Sequence, residues 1–460
     1  MSKLSFALSR RLIMLLPVAA LGLGLAGCSS MDDISDGIGS LNPFAEKEKI
    51  LPGQRRTVLD SQTAVTQVSG KTVAIPGAHA QGSWQQSGGT AGNNPGHVAL
   101  DGGSGARLWS TRAGETAGGS WGGKGVRLFA RPVVGDGRIY VYDPNGTVSA
   151  HSLDGGGRYW SVRLKPADKD DPSLGGGVAF ANGRVYATTA YGTISALDPA
   201  SGGVLWTKQM PEPLRSAPAV GEGKVYVVSQ ANTVYAVSEA DGNEAWNFRG
   251  IPESAGLLSG ASPAVSGGFV IVPFTSGELV ALSAKDGKQM WNDSISRSGP
   301  TMAISGLSDI SASPVVDDGI VIATGVGGKM VAYQLKSGQR MWEAPVGSAH
   351  TPAVAGGYTF AIDLDDRLVA IEKKSGAIQW VSQLPVTRTK KVRTNWAGPM
   401  LAGGSLWLVS SEGAIISVDP ASGRVNSSRD TGVSPAFMSP IAVQGRLLVL
   451  SGDGTLSAYN

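Results

Sequence analysis

The chain has 460 residues, among them 65 Gly, 25 Pro and a single Cys, and 16% of its residues are charged. One Cys excludes an internal disulfide and a thiolate metal cluster. The net charge is +3, and three cations, Lys3, Arg10 and Arg11, sit in the first 27 residues, which hold no acid. The remainder is therefore neutral, which argues against nucleic acid as a partner, since phosphate binding needs a basic surface.

Taken from the start, Lys3, Arg10 and Arg11 form the charged region of a secretory signal, followed by an apolar run from Leu12 to Leu25. That run is too short for a stable membrane span. It ends in Leu25-Ala26-Gly27-Cys28, which resembles a bacterial lipobox. The resemblance implies a signal peptide over 1–27 and acylation of Cys28, whose several acyl chains give stable anchoring. Ser29 after the Cys implies, as in lipoproteins, sorting to the outer membrane. Gly22-Leu23-Gly24-Leu25-Ala26-Gly27 matches G-x-G-x-x-G by letter, but no nucleotide-binding unit follows it. Residues 28–80 are expected to be a tether with short strands such as Thr72-Val73-Ala74-Ile75. The folded body is expected over 81–460, beginning with a Gly-rich stretch that holds Trp84.

From residue 99 one unit recurs: Ala, then a polar residue, then Gly, then Trp. Ala196-Leu197-Asp198 with Gly202 and Trp206 is its clearest copy. The Trp positions are Trp109, Trp160, Trp206, Trp246, Trp291, Trp342 and Trp380, and an eighth, degenerate copy carries Ser417, Gly423 and Ser427. The Gly positions 105, 156, 202, 242, 287, 338, 376 and 423 are about 45 residues apart on average. That is the period of four-stranded propeller blades. Within each unit, strands alternate apolar and polar residues, as in Lys224-Val225-Tyr226-Val227-Val228. Pro at 132, 218, 263, 314, 352, 399 and 440 suits an innermost strand with one unpaired edge. The chain ends at a third strand, Thr455-Leu456-Ser457-Ala458-Tyr459. Its fourth strand is supplied by Gly105 to Trp109. The expected fold is all-β, an eight-bladed β-propeller with four antiparallel strands per blade. The N-terminal strand closes the ring by joining the C-terminal blade, and the seven Trp dock neighbouring blades.

The Ala-x-Asp-x-x-x-Gly-x-x-x-Trp unit resembles the tryptophan-docking motif of quinoprotein dehydrogenases, and no Trp-Asp dipeptide of the WD40 type is present. With the lipobox and a short tether, the chain is similar to the BamB family of outer-membrane β-barrel assembly lipoproteins. Leu307-Ser308-Asp309-Ile310-Ser311-Ala312-Ser313-Pro314 resembles one family loop, and Pro213-Leu214-Arg215-Ser216-Ala217-Pro218 another. The resemblance implies that these loops bind the POTRA domains of a BamA-like barrel insertase. Leu214 would be an apolar anchor, Arg215 a donor, and Asp309 its complement. Ser311 replaces a second family Asp, and the loop after Arg215 is shorter by two residues. Arg215 and Asp309 pairing across adjacent blades is the structural alternative.

The resemblance implies a non-catalytic scaffold in outer-membrane protein assembly, held to lipid through Cys28 and facing the periplasm beside other lipoproteins of the complex. Binding of cell-wall glycan or another envelope protein is the alternative, and a quinoprotein dehydrogenase a more distant one. No cofactor or metal is expected. His79, His97, His151 and His350 lack metal-ligand spacing. Asp168-Lys169-Asp170-Asp171 lacks the Gly and distal Glu of a calcium loop. Arg388, Lys390, Lys391 and Arg393 form a basic run that reads as a solvated face.

Overall fold

Short apolar alternations, most of them joined by tight turns, give 32 strands and no helix among the described residues. The structure is a computed structural model. It describes residues 68–70, 72–102, 105–118, 125–253, 260–295, 309–385, 394–430 and 435–460. Cys28, the signal and most of the tether lie outside them, as do Leu307, Ser308 and the basic run at 388–393. The strands form eight four-stranded antiparallel sheets, the blades of a propeller. Blades 1 to 7 span 133–163, 176–209, 219–249, 264–294, 315–344, 353–383 and 396–430. Blade 8 combines Ile441–Val443, Arg446–Leu450 and Thr455–Tyr459 with the N-terminal strand Arg107–Arg112. There Trp109 lies opposite Ala458 and Arg112 opposite Thr455. The hydroxyls of Ser110 and Ser457 meet at 3.0 Å across the closure.

Blade 3 shows why each unit folds as it does. Glu222 and Gly223 both take positive φ, 51° and 73°. This turn matches the right-handed twist of the strands it joins and requires φ above zero at both central residues. Farther out, Tyr226, Ala236 and Trp246 lie opposite one another on successive strands. The small Ala lets the large side chains on either side of it pack, and the Tyr226 and Trp246 rings meet tilted at 43°, with centroids 5.6 Å apart.

The Trp of one blade packs on the Gly of the next. A Cβ built on Gly242 would lie 2.6 Å from Trp206, and one on Gly287 2.6 Å from Trp246. The same Trp ring nitrogens donate onward, Trp206 to the Glu239 carbonyl at 3.2 Å and Trp246 to that of Ala284 at 3.2 Å. Trp160, Trp291, Trp342 and Trp380 do likewise with Pro199, Leu335, Lys373 and Pro420. Trp109 packs on Gly156, although its ring nitrogen has no hydrogen-bond partner. Blade 7 has Ser427 at this position, and Trp407, from its second strand, reaches Gly105 of blade 8 instead.

Residues 79–101 cross one end of the ring. Trp84 exchanges backbone hydrogen bonds with Val134 of blade 1, at 2.8 and 2.7 Å. The Gln85 carbonyl accepts from Phe180 of blade 2 at 2.7 Å. The Gln86 side chain both donates to and accepts from the Val220 backbone of blade 3, at 2.7 and 3.1 Å. The carbonyls of Ala91 and Gly92 accept from Val265 of blade 4 and Val316 of blade 5, at 2.7 and 2.9 Å. Val98 pairs with Leu401 and Gly403 of blade 7, and Asp101 with Gly445 of blade 8. This segment thus satisfies the unpaired inner edges of seven blades, which would otherwise be buried without partners.

Candidate functional site

At the opposite end, the chain passes from the outer strand of one blade to the inner strand of the next. The two singled-out loops lie on this face. Pro213–Ser216 is tied into the ring by its backbone. Arg215 N donates to the Val228 carbonyl at 2.9 Å, and the Arg215 carbonyl accepts from Gly176 N at 3.2 Å. Neighbouring glycines make room: a Cβ on Gly260 would lie 2.2 Å from the Arg215 carbonyl, and one on Gly175 2.5 Å from that of Leu214. The second loop is held in the same way, with Gly325 against the Asp309 carbonyl and Val326 N donating to it at 3.1 Å.

The structure places all three expected contact residues under the rim. Leu214 is 0% exposed, Arg215 4% and Asp309 0%. Leu214 packs among Met210, Val227 and Tyr235, so in this conformation it offers no surface as an apolar anchor. Its burial follows from its bridge to Ser229, which turns the side chain into the space between blades. Arg215 Nη2 donates to the Pro273 carbonyl of blade 4 at 2.7 Å. Burial pushes its pKa down to about 10, opposed by the negative charge of Asp309. Arg215 and Asp309 therefore interact electrostatically, but they lead into blades 3 and 5, with blade 4 between them. Among the described residues, an exposed large apolar side chain on this face is Ile251, 54% exposed. It lies just beyond the outer strand of blade 3, and its carbonyl accepts from Asn232 Nδ2 at 2.7 Å. It falls outside the repeated unit and outside both family-like loops, so no sequence signal marked it.

Beneath this rim the ring encloses a pocket of about 280 Å³, lined by Arg131, Arg215, Ser311, Ser313, His350 and Ser439 among others. Arg131 donates to the Ser87 carbonyl at 3.2 Å and to Ser439 Oγ at 2.7 Å. Burial lowers the pKa of Arg131 to about 10, so both guanidiniums are charged at neutral pH. His350 is pushed down to about 4, first by burial and then by Arg131, and is neutral there.

His79 is exposed, and the two remaining histidines have hydrogen-bond partners. His97 bonds the Pro76 carbonyl and the Gly404 amide, at 2.7 and 2.9 Å, and His151 lies between the Gly156 carbonyl and Ser149. Asp168 and Lys169 form an exposed pair at 3.7 Å. No group of His, Cys, Asp and Glu among the described residues is arranged to hold a metal ion. No helix among them is long and apolar enough to cross a membrane.

Residues 144–382 match the family model described as outer membrane protein assembly factor BamB. The chain belongs to the BamB family. A BamB from Yersinia pestis is 26% identical over 358 residues, covering 77% of this chain and 88% of that protein. BamB of Escherichia coli K12 is 29% identical over 162 residues, covering 35% of this chain and 40% of that relative's length. Among solved structures, BamB from Moraxella catarrhalis superposes with a TM-score of 0.61 at 17% identity, over 77% of this chain and 97% of that one. A quinohemoprotein alcohol dehydrogenase from Comamonas testosteroni gives 0.63 at 16% identity, over 83% and 81%. At such identities the structural likenesses establish the fold alone, and the sequence match carries the BamB assignment.

Proposed function

We propose that this chain is a non-catalytic scaffold of outer-membrane β-barrel assembly, anchored through acylated Cys28 and facing the periplasm. In this reading 1–27 is the signal, and the residues after Cys28 tether the propeller. The rim around Pro213–Ser216 and the loop at Asp309 receive the POTRA domains of a BamA-like insertase, beside other lipoproteins of the complex. The observation that carries the reading is the BamB family match. The rim supports it further, because both family-like loops open on one face. Leu214, Arg215 and Asp309 hold the shape of that face from beneath, and Ile251 supplies its exposed apolar contact. Restraint at the membrane raises the local concentration of membrane partners.

Copurification from mild-detergent membranes tests this with wild type, Ile251→Asp and Arg215→Met. Wild type is expected to recover a POTRA-containing barrel protein. Ile251→Asp alters only an exposed residue and is expected to reduce recovery at least tenfold, about 1.4 kcal/mol at a binding hot spot. Arg215→Met is expected to reduce it through a disturbed rim. Full recovery with both variants moves the interface elsewhere on the ring. No such partner with wild type overturns the scaffold reading.

A further inference from the structure

The pocket beneath the rim is lined by a buried cation, Arg215, a second and half-buried one, Arg131, and polar atoms that the fold leaves unused. We infer that it is a binding site for a small organic carboxylate. Four observations carry this.

First, the pocket has a floor. Residues 84–93 bond the inner strands of blades 1 to 5, and Ser87 of this segment lines the cavity and is fixed by Arg131. Second, the Arg215 guanidinium lines the pocket at 4% exposure, and its Nε and Nη1 have no hydrogen-bond partner. A buried donor left without a partner costs about 1–3 kcal/mol, more when charged. Such a group is retained where an anion satisfies it. Third, Arg131 brings a second positive charge to the same cavity, and Ser311 Oγ is also without a hydrogen-bond partner. The acid acting on Arg215 is Asp309, and it does not line the pocket. With His350 neutral, the lining charges are both positive. Fourth, the walls carry Phe129, Phe437, Ala130, Ala217 and Ala261.

This combination selects among anions. A planar guanidinium fork matches a carboxylate bidentately. Apolar walls suit a short hydrocarbon stem and disfavour a bare, strongly hydrated ion such as phosphate. The volume of about 280 Å³ lies at the small end of ligand pockets. It fits a few-carbon acid. The inference does not rest on the scaffold reading, because Arg131 has no part in the proposed interface.

Isothermal titration of the purified full chain, at low ionic strength and pH 7, tests it. The probes are succinate, citrate, inorganic phosphate and the blocked peptide acetyl-Gly-Glu-Gly-amide. Succinate or citrate is expected to bind saturably, one per chain, with a dissociation constant below about 1 mM, and phosphate at least tenfold more weakly. Arg131→Met and Arg215→Met are each expected to weaken binding at least tenfold. Near-ultraviolet circular dichroism establishes that each variant is folded. If Arg215→Met does not fold, Arg131→Met at the wall and Ser311→Val carry the comparison. Wild type without saturable heat from either acid overturns the inference, as does a folded Arg131→Met with unchanged affinity. Heat from the peptide alone also overturns it, and assigns the pocket to a partner's acidic side chain.

Discussion

One Gly and one Trp from neighbouring blades make the contact repeated around this ring, and two separate penalties keep that Gly a Gly. At Gly242 the φ is 72°, and an added Cβ would lie 2.6 Å from the Trp206 ring. At Gly223, in the same blade, φ is 73° but nothing lies within 4 Å of the added Cβ. Gly223→Ala therefore reports the backbone penalty alone, about 1–2 kcal/mol. Gly242→Ala adds overpacking of about 1–3 kcal/mol. Urea denaturation is expected to show the larger loss at Gly242, and equal losses would mean that the indole yields freely. Titration is a second test at this scale. His151 is fully buried, and burial lowers its pKa from 6.5; His350 is lowered to about 4. A depressed folded-state value means that the unfolded chain takes up the proton first. The stability these neutral rings allow is full above about pH 6.5 and is lost as pH falls from there toward the folded values. The melting temperature is expected to drop between pH 7.5 and 5 in wild type. The drop should be smaller in His151→Gln with His350→Gln; an unchanged slope in that double variant would assign the acid sensitivity to carboxylates.

Strands and turns were largely legible, because their causes are local. Period-two alternation, x-Gly turns and the spacing of Gly to Trp each appear in the sequence within one unit. What was not legible depends on residues far apart in the chain. Residues 79–101 have no period of their own. Their conformation comes from bonding the inner edges of seven blades, which are scattered from Val134 to Gly445. Asn93 shows the type: its side-chain amide donates to the carbonyls of Ser262, Pro263 and Pro314, at 3.4, 3.2 and 3.0 Å. Trp407 is similar. The eighth copy of the unit reads as degenerate at Ser427, and only the ring shows a Trp from another strand against Gly105. The candidate site was legible as two loops but not in its depth. Leu214 and Arg215 lie in a short loop with turn residues, which reads as surface, yet Gly175 and Gly260 let it sink between blades. The pocket itself gathers Arg131, Arg215, Ser311 and His350 from four separate connections, and no single stretch announces it.

For the whole molecule the decisive contact is the closure of the ring. Blades 1 to 7 each complete their sheet within one stretch of chain, whereas blade 8 pairs Arg107–Arg112 with Thr455–Tyr459. Ser110 and Ser457, at 3.0 Å, are 347 positions apart. Contacts this distant form late and raise the loop entropy that folding must overcome. Opening of the ring is therefore expected to start at this strand, and with it the loss of the rim and pocket, since Arg131, just before the inner strand of blade 1, bonds Ser439, just before the inner strand of blade 8. Linking Ser110→Cys to Ser457→Cys tests this. The two positions are directly opposite on neighbouring antiparallel strands, where side chains are close enough to bridge. In the chain-entropy account a link across so long a loop stabilises by about 6 kcal/mol, with native-state strain as the opposing term. Oxidised protein is expected to unfold more slowly in denaturant than the same protein reduced. Cleavage by protease near residues 105–112 is expected to fall in parallel. If the bridge forms quantitatively and neither rate changes, unfolding starts at another blade and the closing strand is not the weak point of the ring.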